Sequence, residues 1–459
     1  MTSTQTTGEN SSFDSLSLLA DRKTFWRLHA VLVGVKYRDQ KQTEVDEHLD
    51  ELKLLTDTYG IPVVGIFSCP LRSYSARTFL TTGKLEELRE TIAETGANLV
   101  IFDDEISPGQ QRNLEKELKV PVIDRTEVIL GVFAERARSR EARLQIALAQ
   151  VKYMYPRLKR MWTHLSRQVG GGGGATGGGY LKGAGEKQIE IDRRMLKRRM
   201  EFLERQIRDI KTTREVRRGL RKRTDIPVFA LVGYTNVGKS TLMNALTEAG
   251  VYVEDKLFAT LDTTTRRLML PNKQEVLLID TVGFIRKLPH LLVAAFRSTL
   301  EEAVQANIIV HLIDASHPAA FDQAQTTLQV LEELNPGEEL QLITILNKID
   351  EVRTLDPASK QYEIYQKLRL NYPRVQEISA KEKIGFDDLL QEMVQMVAAK
   401  RVHLSLRIPQ SEYHFVADAI RSGHVLHQEY DENDILLEVE LPEPQVGRFK
   451  IYMQNKKTG

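Results

Sequence analysis

Eight residues of this chain, Gly233-Tyr234-Thr235-Asn236-Val237-Gly238-Lys239-Ser240, have the types and the spacing needed to hold a polyphosphate. They fit the pattern G-x-x-x-x-G-K-S, in which glycines let successive backbone N–H groups turn towards phosphate oxygens. Lys239 can reach the outer phosphates, and the Ser240 hydroxyl is an oxygen ligand for Mg²⁺. The segment lies between an apolar run, residues 228–232, and a helix-like segment, residues 241–247. This strand, loop and helix order predicts a phosphate-binding loop.

A second motif, Asp280-Thr281-Val282-Gly283, follows the apolar run 276–279. The Asp280 carboxylate can hold Mg²⁺ through a water molecule, and the Gly283 N–H can sense a terminal phosphate. The motif therefore predicts the site of the γ-phosphate.

Two later motifs predict a site for the base. Asn347-Lys348-Ile349-Asp350 and Ser379-Ala380-Lys381 each follow a run that favours a strand, residues 342–346 and 375–378. The Asp350 carboxylate can accept two N–H bonds from guanine, and adenine offers no such pair of donors, so the hydrogen bonds discriminate between the bases. Four motifs in this order predict a GTPase domain.

Two segments between these motifs predict switches. Residues 258–267, Phe-Ala-Thr-Leu-Asp-Thr-Thr-Thr-Arg-Arg, form the first, and one threonine there is expected to close over Mg²⁺ when the γ-phosphate is present. Residues 284–290 form the second. Its first residue is Phe284, where a glutamine could have oriented water, so we expect slow intrinsic hydrolysis.

Composition bounds the remaining possibilities. A chain of 459 residues with 41% hydrophobic and 28% charged residues predicts about three domains with real cores. The sequence contains no run of about 18 apolar residues, so no membrane span is predicted. The polar first residues lack the form of a signal peptide. A single cysteine, Cys69, excludes an internal disulfide framework and fits a reducing cytoplasm.

Charge is concentrated in one segment. Residues 136–223 contain 25 Lys and Arg against 8 Asp and Glu, about +17, so the remainder carries about −16 in a chain of net charge +1. This imbalance favours a polyanion partner over a solvated helical surface.

Alternating strand and helix patterns predict a small parallel α/β domain near the N-terminus. An acidic cluster, residues 103–105, follows one of its strands and predicts either a ligand or metal contact or, more often for such clusters, a solvated loop. The predicted divisions are a mobile tail 1–26, this α/β domain 27–135, a basic antiparallel coiled coil 136–223, the GTPase domain 224–400 and a small α+β domain 401–459.

The basic segment predicts two long helices, residues 126–165 and 188–221. Ile189, Leu196, Leu203 and Ile210 recur every seven residues in the second helix, as in a coiled coil. Glycines dominate the connection between the helices, residues 169–180, and exclude regular structure there. The connection is either a tip that enters RNA clefts, flanked by Arg167, Lys182 and Lys187, or a disordered spacer.

Over nearly its full length the chain resembles the HflX family of ribosome-associated GTPases. The residues that carry the resemblance are 104–108, 122–126, 133–150, 165–168, 186–194, 233–240, 257–262 and 280–287. The resemblance implies binding to the large ribosomal subunit and dissociation of stalled or idle ribosomes. Because the basic segment would dock there, we expect it to bind ribosomal RNA, and we expect the large subunit to stimulate the slow GTPase. The resemblance also implies that Thr260 is the threonine that caps Mg²⁺, in preference to the threonines at 263–265. The chain departs from the family at Thr263, commonly Pro, at Lys187, commonly Thr, and in its longer glycine loop.

The predicted site residues follow from these motifs and the resemblance. The residues predicted to act in catalysis are Lys239, Thr260 and Gly283, and those predicted to hold Mg²⁺ are Ser240, Thr260 and, through water, Asp280. The predicted GTP-binding residues are Gly233, Tyr234, Thr235, Asn236, Val237, Gly238, Lys239, Ser240, Thr241, Phe258, Ala259, Thr260, Leu261, Asp262, Asp280, Thr281, Val282, Gly283, Asn347, Lys348, Ile349, Asp350, Ser379, Ala380 and Lys381.

The predicted cofactors are Mg²⁺ and, beside Asn236, K⁺, because K⁺-stimulated GTPases carry a ligand for the ion in the phosphate loop. We expect a cytoplasmic monomer, with a peripheral membrane association of part of the protein left open. Two other interpretations stay open at this point. One is an ATP-driven RNA or ribosome remodelling protein with a regulatory GTPase and ATP at the N-terminal domain. The other is an RNA-modification GTPase, which would need a cofactor domain or a reactive cysteine.

Overall fold

A computed structural model describes residues 28–71, 75–158, 181–221, 226–247, 258, 263–287, 306–334, 341–398 and 401–453. The chain divides into two compact units. The first comprises residues 1–210, 254–262 and 287–298, and the second comprises residues 211–253, 263–286 and 299–459.

The first unit is built on a four-stranded parallel sheet with the strand order β2-β1-β3-β4. Its elements, in chain order, are β1 (Ala30–Lys36), α1 (Gln42–Tyr59), β2 (Val63–Pro70), α2 (Thr82–Thr95), β3 (Leu99–Phe102), α3 (Pro108–Leu118), β4 (Val122–Asp124), α4 (Arg125–Arg136), α5 (Arg140–Met154) and α6 (Leu181–Arg221, in this unit as far as Ile210). The predicted small parallel α/β domain is confirmed.

Burial explains why these segments form strands. β1, β3 and β4 are buried almost throughout, so their sequences are nearly continuous apolar runs, while the edge strand β2 alternates between more exposed and more buried residues. α3 begins with a capping box, because the Ser107 hydroxyl accepts from the Gln110 N–H (3.3 Å) and the Gln110 side chain accepts from the Ser107 N–H (3.0 Å). Pro108 lies in the first turn of the helix, where the absence of a backbone N–H costs no hydrogen bond.

The single helix predicted for residues 126–165 is wrong in its continuity. α4 ends at Arg136, and α5 begins at Arg140. The Ser139 hydroxyl accepts a hydrogen bond from the Ala142 N–H (3.1 Å) and so caps α5. A serine side chain that satisfies a backbone donor favours a new helix start over a continuous helix.

The predicted antiparallel pair of helices is confirmed. Two of the predicted heptad residues, Leu196 and Leu203, are buried in a cluster with residues of α5. Arg140, at the start of α5, donates to Gln206 (2.8 Å), whereas the Arg193 guanidinium lies 5.7 Å from the ring centre of Tyr155, just beyond the end of α5. Chain directions along the two helices are therefore opposed.

The second helix of this pair begins at Leu181, earlier than the predicted Gln188. The glycine-rich tip, residues 170–179, lies outside the described residues, as does Arg167. No helix in the described part of the chain is long and apolar enough to cross a membrane.

A buried carboxylate fixes the end of α5 on the sheet. Asp124 accepts hydrogen bonds from the Tyr153 hydroxyl (2.9 Å), from the Arg157 guanidinium (3.3 Å) and from the backbone N–H groups of Ile106 and Glu127 (3.3 and 3.1 Å). Burial raises the pKa of Asp124, and the Arg157 charge and these hydrogen bonds oppose that rise. The contacts join α4, the end of α5 and the strand ends.

The acidic loop after β3 is paired, so the expectation of a solvated loop is wrong for Asp103. Asp103 is buried, and its two oxygens accept from Arg125 (2.8 Å) and from Lys287 (2.8 Å). Arg125 also contacts Glu51 (3.0 Å), and Lys287 also contacts Asp104 (2.7 Å). Each of these residues belongs to the first unit.

The second unit contains a six-stranded sheet of order β10-β9-β8-β5-β7-β6, parallel except for β6. Its elements are β5 (Val228–Gly233), α7 (Lys239–Thr247), β6 (Thr264–Met269), β7 (Glu275–Asp280), β8 (Ile308–Asp314), α8 (Ala320–Leu334), β9 (Leu342–Asn347), α9 (Ile349–Val352), α10 (Lys360–Asn371), β10 (Val375–Glu377) and α11 (Phe386–Ala398). The predicted phosphate-loop GTPase fold is confirmed.

The C-terminal part of the second unit is an antiparallel sheet of order β11-β13-β12 with two helices on one face. Its elements are β11 (Arg401–Pro409), α12 (Tyr413–Ser422), β12 (His424–Asp431), β13 (Asp434–Pro442) and α13 (Glu443–Phe449). Alternate residues of β11 and β13 share a core with Val416 and Phe449. The predicted α+β class of this part is confirmed.

One histidine in the GTPase core has no polar partner among the described residues. His311, on β8, is fully buried, and neither of its ring nitrogens makes a hydrogen bond there. Its ring lies edge-on to Tyr372, with centroids 6.0 Å apart, and beside Thr344 on β9. Burial lowers the pKa of His311 to about 3, so the folded protein keeps the ring neutral.

We predict that His311 makes the second unit acid-sensitive. Between about pH 6.5 and pH 3 the unfolded chain binds a proton at this position that the folded chain does not. The free energy of unfolding therefore falls as pH falls, by up to about 1.4 kcal/mol per pH unit from this group. Replacing His311 by Leu should make the free energy of unfolding less dependent on pH between pH 7 and pH 5. This free energy is measured by urea unfolding at each pH, on the unfolding transition that GDP shifts.

A surface histidine provides the control. His427→Gln alters an exposed ring, 65% accessible, and should leave the wild-type pH dependence in place. Equal pH slopes for wild type and His311→Leu would contradict the assignment.

Candidate functional site

The phosphate loop connects β5 to α7, and two of its glycines are required by the backbone. Gly233 has φ +155°, and a Cβ there would lie 2.3 Å from the carbonyl oxygen of Leu312. Gly238 has φ +94°, and a Cβ there would lie 2.4 Å from the side-chain nitrogen of Asn347. The loop therefore packs against the ends of β8 and β9 more closely than any side chain would permit.

The loop lysine is held inside the curve of its own loop. The Lys239 ammonium donates to the carbonyl oxygens of Tyr234 (2.7 Å) and Gly233 (3.1 Å), and the residue is buried. Burial lowers the pKa of Lys239 to about 8, and the charge of Asp280 opposes that shift. These carbonyls hold the ammonium at the position from which it can reach a phosphate.

The predicted Mg²⁺ ligands come together at the start of α7. The Ser240 hydroxyl donates to Asp280 Oδ2 at 2.7 Å, and Asp280, the last residue of β7, is buried. A hydroxyl and a carboxylate side by side are the hard oxygen donors that Mg²⁺ prefers, so these residues fit the ion. Asp280 is held by the register of β7, which pairs it with Leu231 of β5.

The start of the second switch is hydrogen-bonded to the phosphate loop. The Phe284 N–H donates to Gly233 O (3.0 Å), and the Thr235 N–H donates to Phe284 O (2.7 Å). The Tyr234 hydroxyl accepts from the Arg286 N–H (2.7 Å). Phe284 is buried, so its side chain serves packing and places no polar group towards water.

Gly283 lies directly against the loop. A Cβ at this position would lie 2.8 Å from Thr235 Cα and 3.0 Å from Lys239 Nζ. The backbone of Gly283 is thus brought to the same place as the Lys239 ammonium, where a γ-phosphate is expected. Thr281, in the same motif, is buried and donates to Leu231 O (2.7 Å), which fixes the motif on β5.

The predicted base side is tied to the phosphate side by one amide. The Asn347 side chain donates to Val237 O (2.7 Å) in the phosphate loop and accepts from the Ala380 N–H (2.9 Å) in the base-closing loop. Ser379 is buried, and its hydroxyl accepts from the Glu382 N–H (3.1 Å). Three of the four predicted motifs therefore meet at Asn347.

Asp350 and Lys381 lie at the base side with open access. Asp350 is half-buried in the first turn of α9, and Lys381 is exposed in the loop after β10. The Ile349 N–H donates to Ile378 O (3.2 Å), which holds the Asp350 turn beside that loop. A carboxylate in this position can meet the N–H edge of guanine.

One residue of the site was missing from the sequence prediction. Asp314, at the end of β8, forms a 2.7 Å ion pair with Lys348 and accepts from the Ser316 N–H and hydroxyl (3.1 and 2.7 Å). Lys348 has φ +63°, so the pair fixes a strained residue of the base motif. An apolar run ending in Asp beside another parallel strand was the available signal.

The first switch is described at only one of its predicted binding residues. Phe258 belongs to the first unit, where its ring packs edge-on against Phe133 with centroids 4.5 Å apart. Ala259, Thr260, Leu261 and Asp262 lie outside the described residues, so the predicted role of Thr260 stays a prediction. β6 begins within the predicted switch, at Thr264.

Comparisons with known proteins agree along most of the chain. Three family profiles match it: "GTP-binding GTPase N-terminal" over residues 46–134, "GTP-binding GTPase Middle Region" over residues 136–221 and "50S ribosome-binding GTPase" over residues 228–348. The chain is similar to GTPase HflX of Chlamydia pneumoniae, with 46% identity over 92% of this chain and 88% of that protein. It is also similar to GTPase HflX of Escherichia coli, with 39% identity over 83% and 86% of the two chains.

Among solved structures, a crystal structure of the SsGBP and GDP complex aligns with a TM-score of 0.46 and 26% identity. The alignment covers 80% of this chain and 98% of that chain.

We predict that nucleotide binding takes up a proton above pH 8. The pKa of Lys239 is about 8 in the nucleotide-free protein, and bound phosphates favour the charged ammonium. Affinity for GDP should therefore be flat from pH 7 to about pH 8 and then fall by up to about tenfold per pH unit. Calorimetric titration in buffers of different ionisation enthalpy counts the proton directly.

The matched variant is Lys239→Arg, whose guanidinium stays charged over this range. Its GDP affinity, though lower, should not fall above pH 8 in the same way. Identical pH profiles for the two proteins would refute the low pKa.

Proposed function

This chain belongs to the HflX family of GTPases, and we propose that it acts on the large ribosomal subunit, where its GTP cycle dissociates stalled or idle ribosomes. The observation that carries the nucleotide part is the meeting of Lys239, Ser240, Asp280 and Gly283 around one phosphate loop. The profile description "50S ribosome-binding GTPase" and the basic segment support the ribosomal part. We place the cycle in the cytoplasm and expect a monomer.

In this proposal the protein accelerates hydrolysis by stabilising charge on the transferring phosphoryl group. Lys239 exchanges its carbonyl partners for phosphate oxygens, and the Gly283 N–H donates to the γ-phosphate. Ser240 and, through water, Asp280 would hold Mg²⁺, which would neutralise charge on the outer phosphates. Thr260 is proposed to cover the ion when GTP is present.

Slow turnover without a partner follows from the second switch. Phe284 is buried, and its backbone is paired with the phosphate loop, so it cannot orient an attacking water molecule. Water placement must come from an ordered switch or from an outside group. We propose that docking on the large subunit supplies it.

A second ion fits the same proposal. Asn236 has φ +63° within the phosphate loop, so its backbone is held in a left-handed turn beside the predicted phosphates. In this proposal the Asn236 side chain binds K⁺ and hydrolysis is faster in KCl than in NaCl. Equal rates in the two salts at equal ionic strength would remove K⁺ from the proposal.

The basic coiled coil supplies the affinity for ribosomal RNA. α6 contains fourteen Lys and Arg against seven Asp and Glu in its sequence. Where its side chains are described, the exposed arginines are Arg193, Arg194, Arg198, Arg205 and Arg208. Binding to RNA phosphates releases counterions, so the affinity should fall steeply with salt. The glycine-rich tip, residues 170–179, is proposed to enter the RNA.

The RNA-modification alternative is disfavoured by Cys69. This thiol is buried, and burial raises its pKa, so it lacks the thiolate character of a reactive cysteine.

We predict that Asp350→Asn changes base preference. The amide presents a donor in place of one acceptor, so it loses a bond from guanine and can donate to the added carbonyl of xanthine. GDP affinity should fall by about tenfold or more, and xanthosine diphosphate should bind more tightly than to wild type. Competition binding against a fluorescent nucleotide measures both.

Equal GDP affinities in wild type and Asp350→Asn would exclude this residue from the base site. Asp356→Asn, in the exposed turn after α9, is a matched carboxylate-to-amide control and should change neither affinity.

The ribosomal proposal is tested by single-turnover GTP hydrolysis with and without purified large subunits. We expect the subunits to raise the wild-type rate by roughly 10³–10⁵-fold, the range found when a partner completes such a site. A variant with residues 170–179 replaced by a short turn should bind GTP normally and fail to dissociate ribosomes. An unchanged wild-type rate at saturating subunits would refute the coupling, and full dissociation by the tip variant would reduce the tip to a spacer.

A further inference from the structure

One exposed line of side chains on α6 is not needed by the coiled coil. It consists of Ile191, Met195, Arg198, Phe202 and Arg205, and we call it the α6 stripe. Successive members are four, three, four and three residues apart, so they lie one above another on one helix face. The exposed fractions of the three apolar members are 48% for Ile191, 42% for Met195 and 48% for Phe202.

A different face of the same helix makes the packing contacts. Leu196, Met200 and Leu203 lie in the cluster formed with α5. In the helical projection that buried face lies well over a quarter turn from the α6 stripe. Single exposed apolar residues are ordinary, but three in one line on a helix with fourteen basic residues make a continuous feature.

The chemistry of the α6 stripe selects its occupant. Arginines alternate with apolar side chains along it, and Arg198 lies one turn from both Met195 and Phe202. An apolar groove of a protein partner would have to desolvate Arg198 and Arg205 together with Phe202, which is costly without paired acids. Unpaired RNA instead offers base faces for the ring and phosphates for the guanidinium groups.

The geometry of Phe202 agrees with this chemistry. The Arg199 guanidinium carbon lies 5.7 Å from the Phe202 ring centre, so a cation already lies beside the ring. Arg198 and Arg205 flank Phe202 on either side along the helix axis and are exposed. A base stacked on this ring would thus have a guanidinium within reach of the phosphate on each side.

We propose that the α6 stripe binds unpaired nucleotides of RNA, with a base stacked on Phe202 and neighbouring phosphates held by Arg198 and Arg205. The inference rests on the proposed ribosomal function, which it deepens by naming the kind of RNA and the residue that recognises it. It gives the basic helix a contact with bases in addition to its charge.

The test uses the full-length protein and a short oligoadenylate that carries one fluorescent adenine analogue, quenched when stacked. Phe202→Tyr keeps an aromatic face, Phe202→Leu keeps apolar bulk without one, and Phe202→Ala keeps neither. Affinity should fall about five- to a hundredfold for both Leu and Ala and stay near wild type for Tyr, and the quenching should be lost with the ring. Leu370→Ala, at an 85% exposed leucine of α10, is the control and should match wild type.

Two further measurements separate this proposal from the ribosomal one. An RNA duplex should bind wild type and the three Phe202 variants equally, because its bases are not free to stack on the ring. Large subunits should bind Phe202→Ala more weakly than wild type in sedimentation, with GDP binding unchanged as evidence of folding.

The outcomes are distinct. Wild-type affinity of Phe202→Leu for the oligonucleotide would make the α6 stripe an apolar docking surface and overturn the proposal, as would wild-type affinity of Phe202→Ala. Oligonucleotide binding that depends on Phe202 in a protein that ignores large subunits would retain the α6 stripe and refute the ribosomal function. Subunit binding that is unaffected by Phe202→Ala, with no effect on the oligonucleotide, would refute the α6 stripe and retain the ribosomal function.

Discussion

The arrangement of the nucleotide site depends on the buried side chain of Asn347. Its nitrogen donates to the phosphate loop at Val237 O, and its oxygen accepts from the base-closing loop at Ala380. Because both ends of the amide are satisfied, burial costs little, whereas loss of either partner would leave a buried polar group unpaired. Gly238 is glycine for the same reason, since a Cβ would occupy the space of the Asn347 nitrogen. Loops far apart in sequence thereby keep one spacing between the phosphate and base sites.

A buried ionic network plays the corresponding part in the first unit. Asp124 accepts hydrogen bonds from two backbone N–H groups, from a tyrosine hydroxyl and from Arg157. Asp103 is paired with Arg125 and Lys287. Replacing such a network by apolar residues is often neutral for stability, but removing one partner typically costs about 3–5 kcal/mol. Its effect is therefore geometric, because the charges specify how the helices after β4 leave the sheet and where Lys287 is held.

Much of this was available from sequence, for reasons that differ between regions. Local patterns sufficed for α3, where Pro108 and Ser107 mark the first turn, and for the strands that precede the GTPase motifs. The break before Ser139 was missed because the apolar spacing continues through it and only a cap distinguishes two helices from one. β6, β8 and β12 were not among the predicted strands, and Asp314 was missed with β8. The pairing of Asp103 with Lys287 joins residues 184 positions apart, which no local pattern predicts.

The backbone of Phe284 contributes to the site as well as its side chain. Sequence identified it by what it lacks, a group to orient water, but its backbone also joins the second switch to Gly233 and Thr235. If Gly283 moves towards a γ-phosphate, these two hydrogen bonds are either kept, so that the phosphate loop moves with it, or broken, at a cost of about 1 kcal/mol net each. The bonds lie on the same loop that holds Lys239. The predicted phosphate sensor, Gly283, and the predicted phosphate-binding ammonium of Lys239 are therefore joined through one loop, so a movement of the second switch that displaces this loop would also displace Lys239.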